Sequence, residues 1–273
     1  MVSTGSMISI CITLFLSLIL PVIVLLFMLK GRKGVFGVWL AGALGFIIPQ
    51  MVIRIPALQA LGTVPDFQIF AKEHPYIYVF ILALTAGLFE TAGRFVVLRV
   101  GLNKKLSYMT GLAAGAGHGG IEAMAIIGLV YINNLVISLF INAGRLSAII
   151  PDAVLAENIR KSLVDTSPDL FLMAGFERVF TMMFHILLSV LLTLFIIKKR
   201  SVLGFFIILS IHFATDFSVG IMQIQGMSLY IIEGVIFVIA IISLFITFKI
   251  RSFFGENRSI PIDSGELAVK EGY

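Results

Sequence analysis

Three short patterns in the chain set an ionisable side chain four residues before another: Glu90 and Arg94, His118 and Glu122, His212 and Asp216. Four residues is about one helical turn, so each pair would share a helix face. His185 and the adjacent Glu177-Arg178 add a further imidazole, carboxylate and guanidinium. Imidazole nitrogens and carboxylate oxygens together suit zinc or a similar divalent cation, and a catalytic zinc takes three protein ligands plus an open position for water. Such a metal lowers the pKa of its water and polarises a carbonyl, while a free carboxylate acts as general base. Glu90, Glu122, His185 and His212 supply enough groups for both tasks, with His118 a further candidate ligand. Arg94 or Arg178 could stabilise a developing oxyanion. Asp216 could orient a ligating imidazole from behind. Glu177 either supports the site beside Arg178 or forms an interfacial salt bridge with it.

Other site chemistries fit poorly. There is no His-Glu-x-x-His run and no P-loop or Gly-x-Gly-x-x-Gly pattern. No Gly-Asp pair offers an aspartyl-protease motif, and Ser189, one turn after His185, is a weak candidate nucleophile. The single cysteine, Cys11, excludes an internal disulfide or a Cys-rich metal site.

The elements that must position these groups follow from composition. The chain of 273 residues is 59% hydrophobic and 13% charged, with a mean hydropathy of +1.07. Soluble domains carry roughly 25% charged residues, so a water-soluble globule, a disordered chain and a nucleic-acid-binding module are excluded. The reading is an all-α, polytopic membrane helix bundle. Seven stretches reach the roughly 20 apolar residues that a span requires: 7–29, 35–58, 76–99, 106–132, 171–197, 201–221 and 227–248. The first is too long for a signal-peptide core and reads as a retained helix. Residues 133–142 either extend the fourth span or lie at the interface.

Basic clusters alternate along the chain: Lys30, Arg32 and Lys33; Lys104 and Lys105; Lys198, Lys199 and Arg200; Lys249, Arg251 and Arg258. The positive-inside rule then predicts the N-terminus outside and the C-terminus cytoplasmic. Residues 1–251 form one transmembrane domain, with the site core at about 85–220 and a polar cytoplasmic tail at 252–273. Asp152 is expected to cap a short outer helix over 152–164, with Glu157 and Lys161 paired along it. Ser167-Pro168-Asp169 is a start signal for the fifth span. The net charge of +5 reflects topology and implies no polyanion or nucleic-acid partner.

Charges inside a bilayer are expensive and tend to mark function. Counted from the nearest basic cluster at 1.5 Å per residue, Glu90, His118, His185 and His212 lie roughly 18–21 Å deep. Glu122 and Asp216 lie roughly 24–26 Å deep on the same scale. Four helices thus bring acids and imidazoles to one layer. The Gly-rich run Gly111 to Gly120 contains overlapping small-xxx-small patterns that let helices approach closely. Gln50 and Arg54 in the second span are assigned no role, and Glu233 in the seventh stands isolated.

Four motifs occur in order: Phe89-Glu90-Thr91-Ala92-Gly93-Arg94, Gly115-Ala116-Gly117-His118-Gly119-Gly120-Ile121-Glu122, Glu177-Arg178 with His185, and His212-Phe213-Ala214-Thr215-Asp216. The chain resembles the YhfC family of intramembrane metalloproteases, within the wider group that holds the CAAX prenyl endopeptidases, the CPBP proteins and the PrsW-like proteases. The resemblance implies that Glu90 activates water, that Glu122, His185 and His212 are metal or catalytic groups, and that Asp216 fills a closing Asn/Asp position. It departs where Thr91 replaces the second Glu of the family's Glu-Glu pair. If Glu90 is instead that second acid, Phe89 replaces the first, and Glu122 or Glu177 must substitute.

The implied function is a metal-dependent endopeptidase of a bacterial plasma membrane, with zinc as the expected metal. Its partners would be the lipid bilayer and a membrane-protein or peptide substrate. A proton- or metal-coupled transporter and a catalytically silent membrane scaffold are the alternatives.

Overall fold

The computed structural model describes residues 1–30, 32–255 and Ile260. Beyond Gly255 the expected polar tail lies outside the described residues except for Ile260. All regular structure among the described residues is helical. Seven helices are long and apolar enough to cross a membrane: α1 (Thr4–Leu29), α2 (Val35–Gly62), α4 (Pro75–Gly101), α5 (Tyr108–Asn142), α7 (Pro168–Ile197), α8 (Ser201–Ile224) and α9 (Leu229–Phe254). Two shorter helices, α3 (Pro65–Glu73) and α6 (Ala153–Asp165), join α2 to α4 and α5 to α7. Residues 133–142 continue the fourth span, making α5 a 35-residue helix.

Local chemistry sets the helix starts. Asp152 accepts the backbone N–H of Val154 and Leu155 at 2.9 Å and opens α6. Ser107 accepts the N–H of Thr110 at 3.0 Å at the start of α5, and Pro168 follows Ser167 in the first turn of α7. Along α6 the partner of Glu157 is chiefly Arg160, which donates to both carboxylate oxygens at 2.7 Å. Lys161 stands off at 4.0 Å. The guanidinium three residues on has the planar fork that matches a carboxylate, whereas the ammonium does not, and it holds the Glu157 carboxyl below its ordinary range.

Two spans widen into π-helical turns beside the site, over Ile47–Arg54 in α2 and Ala123–Gly128 in α5. Such turns often occur at functional positions because they re-aim side chains. Here Gln50 and Arg54 are both turned onto α4.

The α5 helix is held between α2 and α7 by its small residues. A Cβ on Gly111, Gly115 or Gly119 would sit 2.8, 2.5 or 2.9 Å from the Cα of Val190, Ile186 or Met182 on α7. On another face, a Cβ on Gly117 would collide with the Trp39 carbonyl of α2. Backbones this close exclude side chains from the seam, which is how helices associate without a hydrophobic driving force in lipid. His118 and Glu122 are thereby brought against α7. It is the most buried span, and α8 the most open.

An apolar core fills one half of the bundle, with Val38, Leu98, Leu188, Leu192 and Ile208 all at 2% exposure or less. At the end beyond this core, Arg99, Lys104 and Lys199 line a common recess, and Arg251 lies over the Tyr108 ring. Members of three of the basic clusters read along the sequence, Lys104, Lys199 and Arg251, are therefore gathered at one end of the bundle.

Candidate metal centre

Glu90, on α4, is the hub of the buried polar cluster. Gln50 donates its amide N–H to Oε1. His118 Nε2, from α5, lies 3.1 Å from Oε2, and His212 Nε2, from α8, lies 2.9 Å from the same atom. Gln50 is itself fixed by Arg54, whose Nη1 donates to the amide oxygen at 3.1 Å. The remaining Arg54 donors meet Thr85 Oγ1 at 3.1 Å and the Leu82 carbonyl at 2.7 Å on α4.

Glu122 forms a second node. Its Oε1 accepts from Arg178 Nη1 at 3.1 Å, and Arg178 also binds its neighbour Glu177. Its Oε2 stands 2.7 Å from His185 Nε2, yet out of line for a hydrogen bond, so this buried oxygen has no hydrogen-bond partner.

His185 joins the two nodes. Arg94 Nη2 lies 2.9 Å from His185 Nδ1, while Arg94 Nε donates to Ser189 Oγ at 2.9 Å. A guanidinium only donates, so Nδ1 must accept and the neutral ring carries its proton on Nε2, beside Glu122. Ser189 is thus a support for Arg94, and the imidazole nitrogen facing that side is already engaged. The serine-nucleophile arrangement is not formed. Asp216 lies 3.2 Å from His212 Nδ1, one turn further along α8.

The structure therefore brings Glu90, Arg94, His118, Glu122, Arg178, His185 and His212 into one buried assembly, each below 9% exposed. Asp216 and Glu177 lie at its rim, with side chains 36% and 27% exposed. Gln50 and Arg54 belong to the assembly although the sequence reading gave them no role. The missed signal was available: Gln50 lies 17 residues after Lys33, about 26 Å deep on the scale used for the others, and Arg54 follows by one turn. Glu233 is not isolated either, since it lies close to Glu177 and Arg178.

Ligand atoms of Glu90, His118, Glu122 and His185 all lie within 4.8 Å of one another. Tetrahedral zinc bonds of about 2.0–2.2 Å place ligand atoms roughly 3.4 Å apart, so a small contraction of the cluster would enclose an ion. The unpartnered Glu122 Oε2 is a buried anionic atom that a cation would satisfy. The four residues fit a divalent metal and could hold one. A cavity of about 350 Å³ reaches this cluster, walled by α4, α7, α8 and α9 with Arg54 of α2.

No solved structure matches the chain. It is similar to a protein of Bacillus subtilis (strain 168) described as "Uncharacterized membrane protein YhfC", with 28% identity over 203 residues covering 73% of this chain and 78% of the relative. The model of the YhfC intramembrane metalloprotease family matches residues 16–241, which take in all of the buried cluster. The chain is a membrane protein and belongs to the YhfC intramembrane metalloprotease family.

Proposed function

We propose that the chain is an intramembrane endopeptidase that holds a divalent cation, zinc by the chemistry of its donors, and cleaves peptide bonds in or beside the bilayer. The observation that carries this reading is the convergence of two carboxylates and two imidazoles within 4.8 Å at the closed end of a cavity. Such a group of ionisable residues is too costly inside a membrane to be maintained for packing alone.

His118, Glu122 and His185 are the proposed ligands. A bound metal supplies Lewis acidity and a water of lowered pKa. Glu90 is the proposed general base. Its Oε1 is fixed by Gln50, while Oε2 sits between His118 and His212, placed to take a proton and pass it to an imidazole. His212 falls outside the group of four and is read as the partner of Glu90, with Asp216 behind its other nitrogen. Arg178 is the cation nearest Glu122 and could stabilise oxyanion charge. Arg94 holds the His185 ring.

The test combines metal content with cleavage. Wild-type protein purified in detergent should carry about one equivalent of metal, and the His118→Ala/His185→Ala protein should carry little. Glu90→Gln should fold and abolish cleavage of membrane-protein substrates. Equally low occupancy in wild type and double variant after metal loading would remove the metalloprotease reading.

A further inference from the structure

The cavity is one-sided. On α4 its lining runs from Val79 to Glu90 and stops there; on α8 it runs from His212 outward to Gln223. On α7 it runs from Glu177 to His185. These are the halves of the three helices that point away from the basic end. The other half of the bundle is closed by the apolar core of Leu98, Leu188, Leu192 and Ile208, none of which is exposed at all. Of that core only Phe184 reaches the lining, one residue from His185, and Ile239 of α9 packs against the core from the cavity wall.

Exposure grades the same way. The side chains of Glu90 and His212 are 6% and 3% exposed, that of Glu122 is 11%, and those of Glu177 and Asp216, one or two turns further out, are 27% and 36%. Water and substrate therefore meet Asp216 and Glu177 before Glu90. The outer part of the cavity is also lined by apolar groups, Val219 of α8 and Phe180 of α7, while Ile236 and Ile239 of α9 lie level with the cluster or nearer the core. Carboxylates and a guanidinium at the reacting end, with aliphatic and aromatic walls beyond, suit a peptide backbone with apolar side chains.

Building on the endopeptidase reading, we infer that the site opens only toward the face opposite its basic clusters, and takes apolar peptide segments presented from that half of the bilayer. Lys and Arg collect on the cytoplasmic side of membrane proteins, so this face is the outer one. The substrates are then membrane-anchored chains whose scissile bond lies in the outer half of the membrane. Chains that approach from the cytoplasm meet the closed core.

Sided cysteine labelling tests this. In a Cys11→Ser background, Thr215→Cys and Gln223→Cys should react with a membrane-impermeant maleimide added outside intact spheroplasts. Lys198→Cys should react only after the membrane is opened. Outside labelling of Thr215→Cys should also stop cleavage of a membrane-spanning reporter. Reaction of Thr215→Cys from the inner side alone, or from neither side, overturns the proposal, as does reaction of Lys198→Cys from outside or cleavage that survives complete labelling. Labelling needs no turnover, so a protein that labels from outside and cleaves nothing would sink the endopeptidase reading and leave the outward opening standing.

Discussion

Arg94 and His185, 91 residues apart in the chain, meet through Nη2 and Nδ1 at 2.9 Å, and Arg94 is held in place by Ser189 one turn along α7. A permanent donor on Nδ1 decides the tautomer of the ring and therefore what Nε2 offers to Glu122. Two roles follow for one guanidinium: it fixes a ring, and it supplies positive charge beside two buried carboxylates, Glu90 and Glu122.

Arg94→Lys should separate these roles. The ammonium keeps the charge but lacks the fork that serves His185 and Ser189 together. Loss of one charge-assisted hydrogen bond is about 1.5–3 kcal/mol, so cleavage should fall roughly 10- to 100-fold at unchanged expression. Arg94→Ala removes the charge as well and should lower the melting temperature of the detergent-purified protein markedly. If Arg94→Lys cleaves at the wild-type rate, the guanidinium does not set the ring.

Metal binding should release a proton. His185 carries hydrogen on Nε2, facing Glu122, whenever Arg94 occupies Nδ1. Ligation through that nitrogen requires it to give up the hydrogen, and as long as Arg94 keeps Nδ1 the ring cannot take it there, so the hydrogen leaves to solvent and the ring binds as imidazolate. Zinc titrated into metal-free protein should therefore show a binding heat that scales with the ionisation enthalpy of the buffer, and apparent affinity should weaken as pH falls. A heat independent of buffer would mean that Arg94 does not hold Nδ1 against the ring hydrogen when metal binds.

The Gln50 amide is the only hydrogen-bond donor described for Glu90 Oε1. Gln50→Leu keeps bulk and strands both that oxygen and Arg54 Nη1. An unsatisfied buried polar group costs about 1–3 kcal/mol, which should appear as lower thermal stability and slower cleavage. Metal occupancy should persist, because Gln50 lies outside the group of four ligand residues. Loss of the metal together with activity would instead make Gln50 part of the metal site.

The seven spans and the layer of acids and imidazoles were legible because both depend on one-dimensional quantities, apolar run length and distance from a basic cluster. Helix starts at Asp152 and at Ser167-Pro168 were legible for the same reason, since a capping carboxylate and a first-turn proline both act locally. What the sequence hid were relationships between helices. Pro49, which cannot donate to the helical ladder, marks residues 47–54 as irregular, but not that the turn aims Gln50 and Arg54 at α4, and without that they were given no role. Arg94 reads as the partner of Glu90 on its own helix, yet its guanidinium turns across to His185 and Ser189 on α7. Glu157 chose Arg160 over Lys161 because fork geometry outweighs the spacing rule. Glu233 found Glu177 only through the packing of α9 on α7.

The glycine seam of α5 supplies the last prediction. A Cβ on Gly115 would lie 2.5 Å from Ile186 Cα and 3.0 Å from the His185 carbonyl oxygen, backbone atoms that cannot rotate away. Gly115→Ala must therefore prise α5 from α7 at the level of the cluster, lengthening the distances from His118 and Glu122 to His185. A shift of 1 Å in reacting groups can lower rates by about 10²-fold. Gly115→Ala should thus lower metal occupancy, stability and cleavage together, although it touches no ionisable group. Gly37 provides the control, because a Cβ there meets nothing within 4 Å, and Gly37→Ala should leave all three measurements as they were. Wild-type metal content and cleavage in Gly115→Ala would mean that close approach of α5 and α7 is not what assembles the site.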